Sequence, residues 1–499
     1  MDASRPWLER LPVELLHEIS TYLEGPDLIA LRQTSSQVSA GASMPFGDHF
    51  FGTITTDLYW DSLPRLLAAT RFEGPRHRVR VLHITTWHDY VPYRSRHLHI
   101  TTWHDGVPYR SRRHNQLQYW RRNGDGAIIF ESPMAQAVLA GIRDGFPGCR
   151  SLVVDDANGA GPDRPILARR RMSGTDCLAL AVALAGTLPV TSLTVTLASY
   201  GLEEYRINPS VLGRADWNAL ETLRFEVRRI ISTAGPQAGE KEVTSSSRPA
   251  WVVDHRGIGA IQTFIHSLLS SAPNLQTVQI GGDRSMDYCI PLLSEQGRTI
   301  RHLTLGGYTF HSSYVPMRVL NDWMASYSGG DKLESLEFVN INATRVGDFR
   351  PWKPFLSRIH ATFPNLQRFK LMNCRVHPLR HGRMFLCALL PSLTARLGPG
   401  LDSPYSHEYS DARWVTISDE HGGTFRILSE PRRAYDRNGE RKGPRLHDLG
   451  VEYKLGPSGT AEGMKCALSD IAESIGNRDD LFHDDECTGR PVPGADQEA

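Results

Sequence analysis

Histidines and aspartates form the most conspicuous group of potential ligands in the sequence. They lie in two adjacent segments, residues 82–96 and 98–112, which are identical except for Tyr90 in the first and Gly106 in the second. The group comprises His83, His88, Asp89, His99, His104 and Asp105. Imidazole and carboxylate are ligand types that suit zinc or copper. Strand alternation, however, places the histidines opposite the apolar positions, so we predict exposed side chains and no metal site.

The near identity of these two segments indicates a recent duplication or an error of gene modelling. Two structural repeats under different packing constraints would have drifted apart in sequence. We therefore expect one copy to form a strand, and the other to bulge out as a loop.

Motifs for other kinds of chemistry are not found in a convincing context. There is no nucleophile elbow, dinucleotide fingerprint or zinc-protease helix. Residues 281–283 and 329–331 both read Gly-Gly-Asp, a turn signal that lacks the Lys-Ser/Thr of a phosphate-binding loop. The short basic runs at residues 121–122 and 169–171 are typical of solvated loops. We predict no catalytic, cofactor-binding or metal-binding residue, and expect the chain not to be an enzyme.

The net charge and the cysteines argue against several classes of protein. The chain has 56 Lys and Arg against 55 Asp and Glu, a formal charge of +1, so no global field attracts nucleic acid or a membrane. Its 7 cysteines are odd in number and never spaced as C-x-x-C, which argues against a disulfide framework or a thiolate zinc site. No signal peptide or long apolar run is present. These features predict a protein of the cytoplasm or nucleus.

The first fifty or so residues predict a small module of three short helices. Aliphatic residues at helical spacing are Leu15, Leu16, Ile19 and Leu23. Pro12 suits the first turn, Gly25 and Pro26 end the helix, and Asp27 can cap the next one. A module of about forty residues buries too little apolar surface to be stable by itself. Some of its aliphatic side chains should therefore face a partner.

This module resembles an F-box, through the spacing L-P-x-E-L-L-x-x-I-x-x-Y-L followed by D-L-x-x-L-R-x-T-S. The matching residues are Leu11, Pro12, Glu14, Leu15, Leu16, Ile19, Tyr22, Leu23, Asp27, Leu28, Leu31, Arg32, Thr34 and Ser35. Ser36 departs from the pattern, because the family usually has a basic residue there. The resemblance implies docking to the Skp-type adaptor of a cullin-RING ubiquitin ligase. The partner-binding residues that it implies are Leu11, Pro12, Leu15, Leu16, Ile19, Leu23, Leu28 and Leu31.

The rest of the chain repeats one apolar phrase of the form L-x-x-L-x-L. It occurs at residues 220–225, 275–280, 300–305, 333–338 and 366–371. Leu303, Leu336 and Phe369 are each 33 residues apart, whereas regular leucine-rich repeats run about 20 to 29 residues. Amphipathic stretches between the phrases cover residues 134–146, 258–269, 314–327 and 352–363. Strands alternating with such helices predict an irregular, leucine-rich-repeat-like α/β solenoid; a closed α/β domain with coincidental phrases is the alternative.

These patterns divide the chain into four predicted parts. Residues 5–48 are the F-box-like helical module, and residues 49–398 the degenerate leucine-rich-repeat-like α/β domain. Residues 399–475 form a mixed extension with a β-hairpin, flanking the turn signal at 419–423. The acidic residues 476–499 are predicted to be disordered.

Together these features predict a substrate-recognition adaptor of a Skp-cullin-F-box ubiquitin ligase. The module would bind the Skp-type adaptor and, through it, a cullin, while the larger domain binds an unidentified client protein. No cofactor, nucleic acid or membrane is expected as a partner. Two alternatives stay open: a Skp-bound scaffold that recruits no ligase, and a metal-binding or hydrolytic enzyme. Capture of a cullin distinguishes the first, and bound metal that is lost when the four histidines change distinguishes the second.

Overall fold

The computed structural model describes most of the chain in separate segments. These are residues 6–56, 62–71, 76–85, 120–121, 128–155, 174–198, 215–228, 256–282, 286–306, 313–344, 352–372, 374–377, 413–419, 421–432 and 446–476. The chain divides into two compact units, Met1–Val278 and Gln279–Ala499. Helices and a large mixed sheet make the protein α/β, as predicted. Among the described helices, none is long and apolar enough to cross a membrane.

The first unit begins with short helices. They are a 3-10 helix Trp7–Arg10, α1 Val13–Thr21, α2 Gly25–Thr34, α3 Ser36–Gly41 and α4 Ser43–Phe51. The helix α4 was not predicted and extends beyond residue 48. We call the 3-10 helix and α1–α4 the helical module.

Strands and helices then alternate through the rest of the first unit. The elements are β1 Thr53–Thr56, α5 Ser62–Ala69, β2 Val81–Thr85, α6 Pro133–Gly145, β3 Ser151–Asp155, α7 Gly174–Ala185, β4 Ser192–Ala198, β5 Thr222–Arg228, α8 Arg256–Ser271 and β6 Thr277–Gly282. The strands β1 to β5 lie side by side in chain order, and all are parallel. The backbone N–H groups of Gln276 and Thr277 donate to the Glu221 carbonyl and place the start of β6 beside β5. The unit boundary falls within β6.

Alternating side chains explain why these segments are strands. Leu82, Ile84, Leu152 and Val154 are fully buried, whereas the residues between them are partly exposed on the other face. On α6, apolar residues recur at helical spacing and are buried as well: Val138, Leu139 and Ile142. The apolar face of the sheet and the apolar stripes of the helices form the core of this unit.

The second unit repeats a strand–strand–helix order. Its elements are α9 Met286–Gln296, a 3-10 helix Gly297–Thr299, β7 His302–Gly306, β8 Ser313–Pro316, α10 Met317–Ser326, β9 Ser335–Val339, β10 Ile341–Thr344, α11 Trp352–Thr362, β11 Arg368–Met372, β12 Arg375–His377, β13 Arg413–Ser418, β14 Thr424–Arg432, β15 Leu446–Lys454 and α12 Ala461–Gly476. In the main sheet, β7, β9 and β11 are parallel, and β15, β14 and β13 continue it antiparallel. The strands β8, β10 and β12 form a separate parallel sheet.

Sharp corners join the two sheets of the second unit. Gly306 ends β7 with a φ of 105°, and Asn340 separates β9 from β10 with a φ of 53°. A Cβ on Gly306 would lie 1.8 Å from the carbonyl oxygen of Val339. The backbones of neighbouring strands therefore approach too closely at this corner for any side chain.

Most strands and helices predicted from the phrases and the amphipathic stretches are confirmed. The five phrases lead into or lie in β5, β6, β7, β9 and β11, and their apolar residues are buried. The hairpin of β13 and β14 is confirmed, with Asp419 Oδ1 accepting hydrogen bonds from the backbone of His421 and Gly423. The first four residues of the first duplicated segment, 82–85, lie in β2. The second copy and the acidic tail from residue 477 onward lie outside the described residues.

Candidate partner-binding surface

The helical module is shaped by local signals in its sequence. Pro12 precedes α1 with φ −54° and ψ 149°, a conformation that proline tolerates and that starts a helix. The Oγ of Ser35 accepts a hydrogen bond of 3.3 Å from the Val38 backbone, and so caps α3. The side-chain amide of Gln37 donates to the Glu9 carbonyl at 2.6 Å. These features mark the start of α1 and of α3, and the Gln37–Glu9 bond ties α3 to the 3-10 helix.

A small core lies inside the module. Leu16 and Leu28 are 1% exposed, and Val38 and Ala42 are buried beside them. A Cβ on Gly41 would lie only 2.9 Å from the Cβ of Leu16. The absence of a side chain at residue 41 thus lets α3 approach α1 closely and cover Leu16.

Arg32 joins three of the helices. Its Nε donates to Ser39 Oγ at 3.3 Å, and its guanidinium carbon lies 4.0 Å from the centre of the Phe46 ring. Such a cation–π contact contributes about 0.5–1 kcal/mol at an exposed site. This arginine therefore has an internal role in the module.

An apolar stripe remains uncovered along α1. Leu15 is 45% exposed, Ile19 is 38% exposed and Tyr22 is 81% exposed. Their spacing of four and three residues places them on one side of the helix, and the exposed Pro12 continues the row. We call Pro12, Leu15, Ile19 and Tyr22 the α1 stripe. Single exposed leucines are ordinary, but a row of large apolar residues on one helix is typical of an interaction site.

The eight predicted partner-binding residues fall into three groups. Pro12, Leu15 and Ile19 are exposed on the α1 stripe, while Leu11, Leu23 and Leu31 are half-buried. Leu16 and Leu28 are interior, because the module's own helices cover them. The structure therefore brings the exposed three together, and gives the interior two a supporting position beneath the surface. Whether any of the eight contacts a partner stays a prediction.

Several exposed apolar residues of the module were not among the predicted contacts. Tyr22 belongs to the F-box-like spacing, and its position three residues after Ile19 was the signal that could have placed it on the stripe. The other residues are Trp7, Val13, Ile29 and Met44. The sequence carries no comparable signal for them.

The module is attached to the strands of its own unit. Arg78, just before β2, donates to the Met44 carbonyl at 2.8 Å and to Asp48 Oδ1 at 3.1 Å. Gly47 leaves room for this arginine, since a Cβ there would lie 2.2 Å from Arg78 Cδ. The contacts lie at α4, so they leave the α1 stripe uncovered.

One histidine of the duplicated segments, His83 in β2, lies within the described residues. His83 is half-buried, with Nδ1 3.5 Å from Thr55 Oγ1 and Nε2 4.0 Å from Asp155 Oδ2. It is therefore less exposed than predicted, because neighbouring strands flank it. The other histidines and aspartates of the duplicated segments lie outside the described residues. Within the described segments, no group of three or more His, Cys, Asp or Glu could hold a metal ion.

Cys149, Cys289 and Cys374 are buried, and Cys466 is partly buried. No disulfide joins any of them. Burial raises the pKa of the Cys149 thiol to about 11, so the reactive thiolate is suppressed at neutral pH. A buried, protonated thiol is a poor nucleophile and here packs as a small apolar group.

Comparison with known proteins adds no family to these observations. No protein-family model matches the sequence, and no curated protein matches it.

Proposed function

We propose that the protein is a substrate-recognition adaptor of a Skp-cullin-F-box type ubiquitin ligase. The helical module binds a Skp-type adaptor through the α1 stripe, and the remaining chain binds a client protein. The protein makes and breaks no bond itself. It raises the effective concentration of the client near a ubiquitin-charged enzyme.

One observation carries this proposal: large apolar side chains on α1 remain exposed while the module has a core of its own. Exposing Leu15 and Ile19 costs part of the free energy that burial of each side chain would contribute, about 1.5–3 kcal/mol in full. A second polypeptide that covers the stripe recovers this free energy. The match between the F-box-like spacing and the exposed positions of α1 supports a Skp-type partner.

We infer further that residues 302–377 of the second unit are degenerate leucine-rich-repeat-like units. Its parallel strands begin at His302, Ser335 and Arg368, so the two intervals between successive strands are both 33 residues. Each is followed by a short second strand, and β8 and β10 are followed by a helix. Such stacked units commonly present an extended surface for protein binding.

The experiment is co-purification with a Skp-type adaptor, using the Leu15→Asp, Ile19→Asp double variant. Both side chains are exposed in the free protein, so the variant should fold. In the complex each aspartate would be desolvated without a partner, which costs several kcal/mol, and adaptor capture should be lost. Leu16→Asp is unsuitable, because a buried charge would unfold the module itself.

Met134→Asp is the matched control, since Met134 is an exposed apolar residue on α6. It should leave adaptor capture unchanged. Retention of the adaptor by the α1 variant, or equal loss in the control, would refute the proposal. Capture of a cullin by the intact complex distinguishes a ligase adaptor from a scaffold without ligase.

A further inference from the structure

Five residues lie side by side where neighbouring strands of the first unit begin. They are Arg80, Arg150, Thr191, Glu221 and Gln276, which directly precede β2, β3, β4, β5 and β6. From Arg150 onward, the backbone N–H of each donates to the carbonyl of the one before it, at 2.8–3.0 Å. All except Thr191 are exposed. We call these five residues the edge row, because they form one line along an edge of the sheet.

The edge row carries both signs of charge, and its opposite charges do not pair with each other. Arg80, Arg150 and Glu221 form no ion pair with any residue that the structure describes. Arg150 instead donates from NH1 to the carbonyls of Pro147 and Cys149, at 3.2 and 3.3 Å. These two hydrogen bonds hold its guanidinium on the turn before β3. The positive end of the row and its negative end therefore both face solvent.

The second unit shows what such charges do when their strands are adjacent. Arg301 and Glu334 directly precede β7 and β9, and the Glu334 backbone donates to the Arg301 carbonyl at 2.8 Å. Their side chains form an ion pair, with Arg301 NH1 3.1 Å from Glu334 Oε1. In the first unit, Thr191 separates Arg150 from Glu221, so their backbones are two strand spacings or about 10 Å apart. The charges of the edge row are thus left for another molecule.

We propose that the edge row is a contact surface between two copies of this chain. A two-fold axis perpendicular to the sheet, passing the edge at Thr191, brings two edges together and reverses the order of the row in the second copy. Arg150 of each copy then faces Glu221 of the other. Arg80 likewise faces Gln276, whose amide oxygen accepts hydrogen bonds from a guanidinium. Every charged member of the row gains a partner in this arrangement.

A second copy fits the edge row better than a partner of a single charge sign does. A nucleic acid or an acidic protein segment would be attracted by Arg80 and Arg150 but repelled by Glu221 and by Asp216, which is exposed in the turn before β5. A chain of the same sequence presents the complementary order of charges without any further requirement. Because the contacts are ion pairs at the surface, the dimer should be weak and sensitive to salt.

The first test is sedimentation velocity of the full chain over a range of protein concentrations. At about 0.01 M salt, where the Debye length is about 30 Å, we expect a monomer and a dimer in concentration-dependent equilibrium. At about 1 M salt, where the Debye length is about 3 Å, the dimer dissociation constant should rise about tenfold or more. A monomer at every concentration, or a dimer that salt does not weaken, would overturn the proposal.

The second test reverses charges at the two positions that face each other. Arg150→Glu and Glu221→Arg should each weaken the dimer about tenfold or more, because like charges then meet at both contacts. Mixed in equal amounts, the two variants should associate, since one chain has carboxylates at both positions and the other has guanidinium groups. Misfolded variants could not rescue each other in this way.

The matched control is Arg318→Glu, which reverses an exposed charge on α10 and should leave the dimer unchanged. A chain that carries both Arg150→Glu and Glu221→Arg should dimerise again. The proposal fails if either single variant dimerises like the original chain, if the mixture does not associate, or if the control loses the dimer equally.

Discussion

Replacing Leu15 and Leu16 with alanine, one at a time, should separate partner binding from folding of the module. The two leucines are neighbours in the chain and lose the same atoms, yet one is 45% exposed and the other 1%. Leu16→Ala leaves a cavity beneath α3 and should destabilise the module by about 3 kcal/mol. Leu15→Ala removes atoms that are only partly buried and should cost about 1 kcal/mol of stability.

The effect on partner binding should be the reverse. If a partner buries the exposed part of Leu15, this burial contributes nearly half of a leucine's full burial free energy to binding, or about 1 kcal/mol. Leu15→Ala should therefore weaken the complex about fivefold. Leu16→Ala should change the affinity of the folded fraction little, because Leu16 does not reach the surface.

Two measurements check this pair of expectations. Hydrogen exchange of amides in α1 and α2 reports the local opening free energy of the module, without assuming that the whole chain unfolds in one step. Titration calorimetry with the Skp-type adaptor reports the affinity. The reasoning is refuted if Leu15→Ala destabilises the module as much as Leu16→Ala, or if it leaves adaptor affinity unchanged.

Two further predictions concern the body of the protein. Gly306→Ala should destabilise the second unit by about 2 kcal/mol or more, because it combines a φ of 105° with a clash against the Val339 carbonyl. Thermal unfolding measures this loss of stability. The control is Gly141→Ala in α6, which should be neutral or stabilising, because a Cβ there meets only the tip of the Leu67 side chain. A Gly306→Ala variant as stable as the original protein would contradict the corner geometry. Because the pKa of Cys149 is raised by burial, the unfolded chain loses its thiol proton first as pH rises above about 9. The free energy of unfolding should then fall by about 1.4 kcal/mol per pH unit until about pH 11, a slope that Cys149→Ala should reduce in urea unfolding at pH 9 to 10. An unchanged slope in that variant would exclude Cys149 as its origin.

Much of the fold was predictable because the buried side of a strand or helix requires apolar residues at regular spacing in the sequence. The phrase that ends in Leu336 and Phe338 alternates apolar and polar residues, and a strand is the structure that buries one set and exposes the other. The helices α6, α8, α10 and α11 were visible from their apolar periodicity for the same reason. The hairpin of β13 and β14 was visible from its turn residues.

The elements that were missed depend on contacts between distant parts of the chain. The place of β15 beside β11 joins Arg368 to Glu452, which are 84 residues apart. Among the described strands, β8, β10 and β12 pair with one another alone, and each is too brief to show a pattern. The ion pairs of Arg368 with Glu337 and Glu452 have the same long-range origin, since the three residues lie on β11, β9 and β15, which no local rule brings together.

The α1 helix shows what the local sequence determines and what depends on tertiary packing. Its sequence by itself determined that the segment is helical, and that Leu15, Leu16 and Ile19 share an apolar region too large for so small a module. Only the tertiary structure decided which of them face inward. The close approach of α3 at Gly41 covers Leu16 and leaves Leu15 and Ile19 exposed, because a side chain is buried by what packs against it and not by its own type.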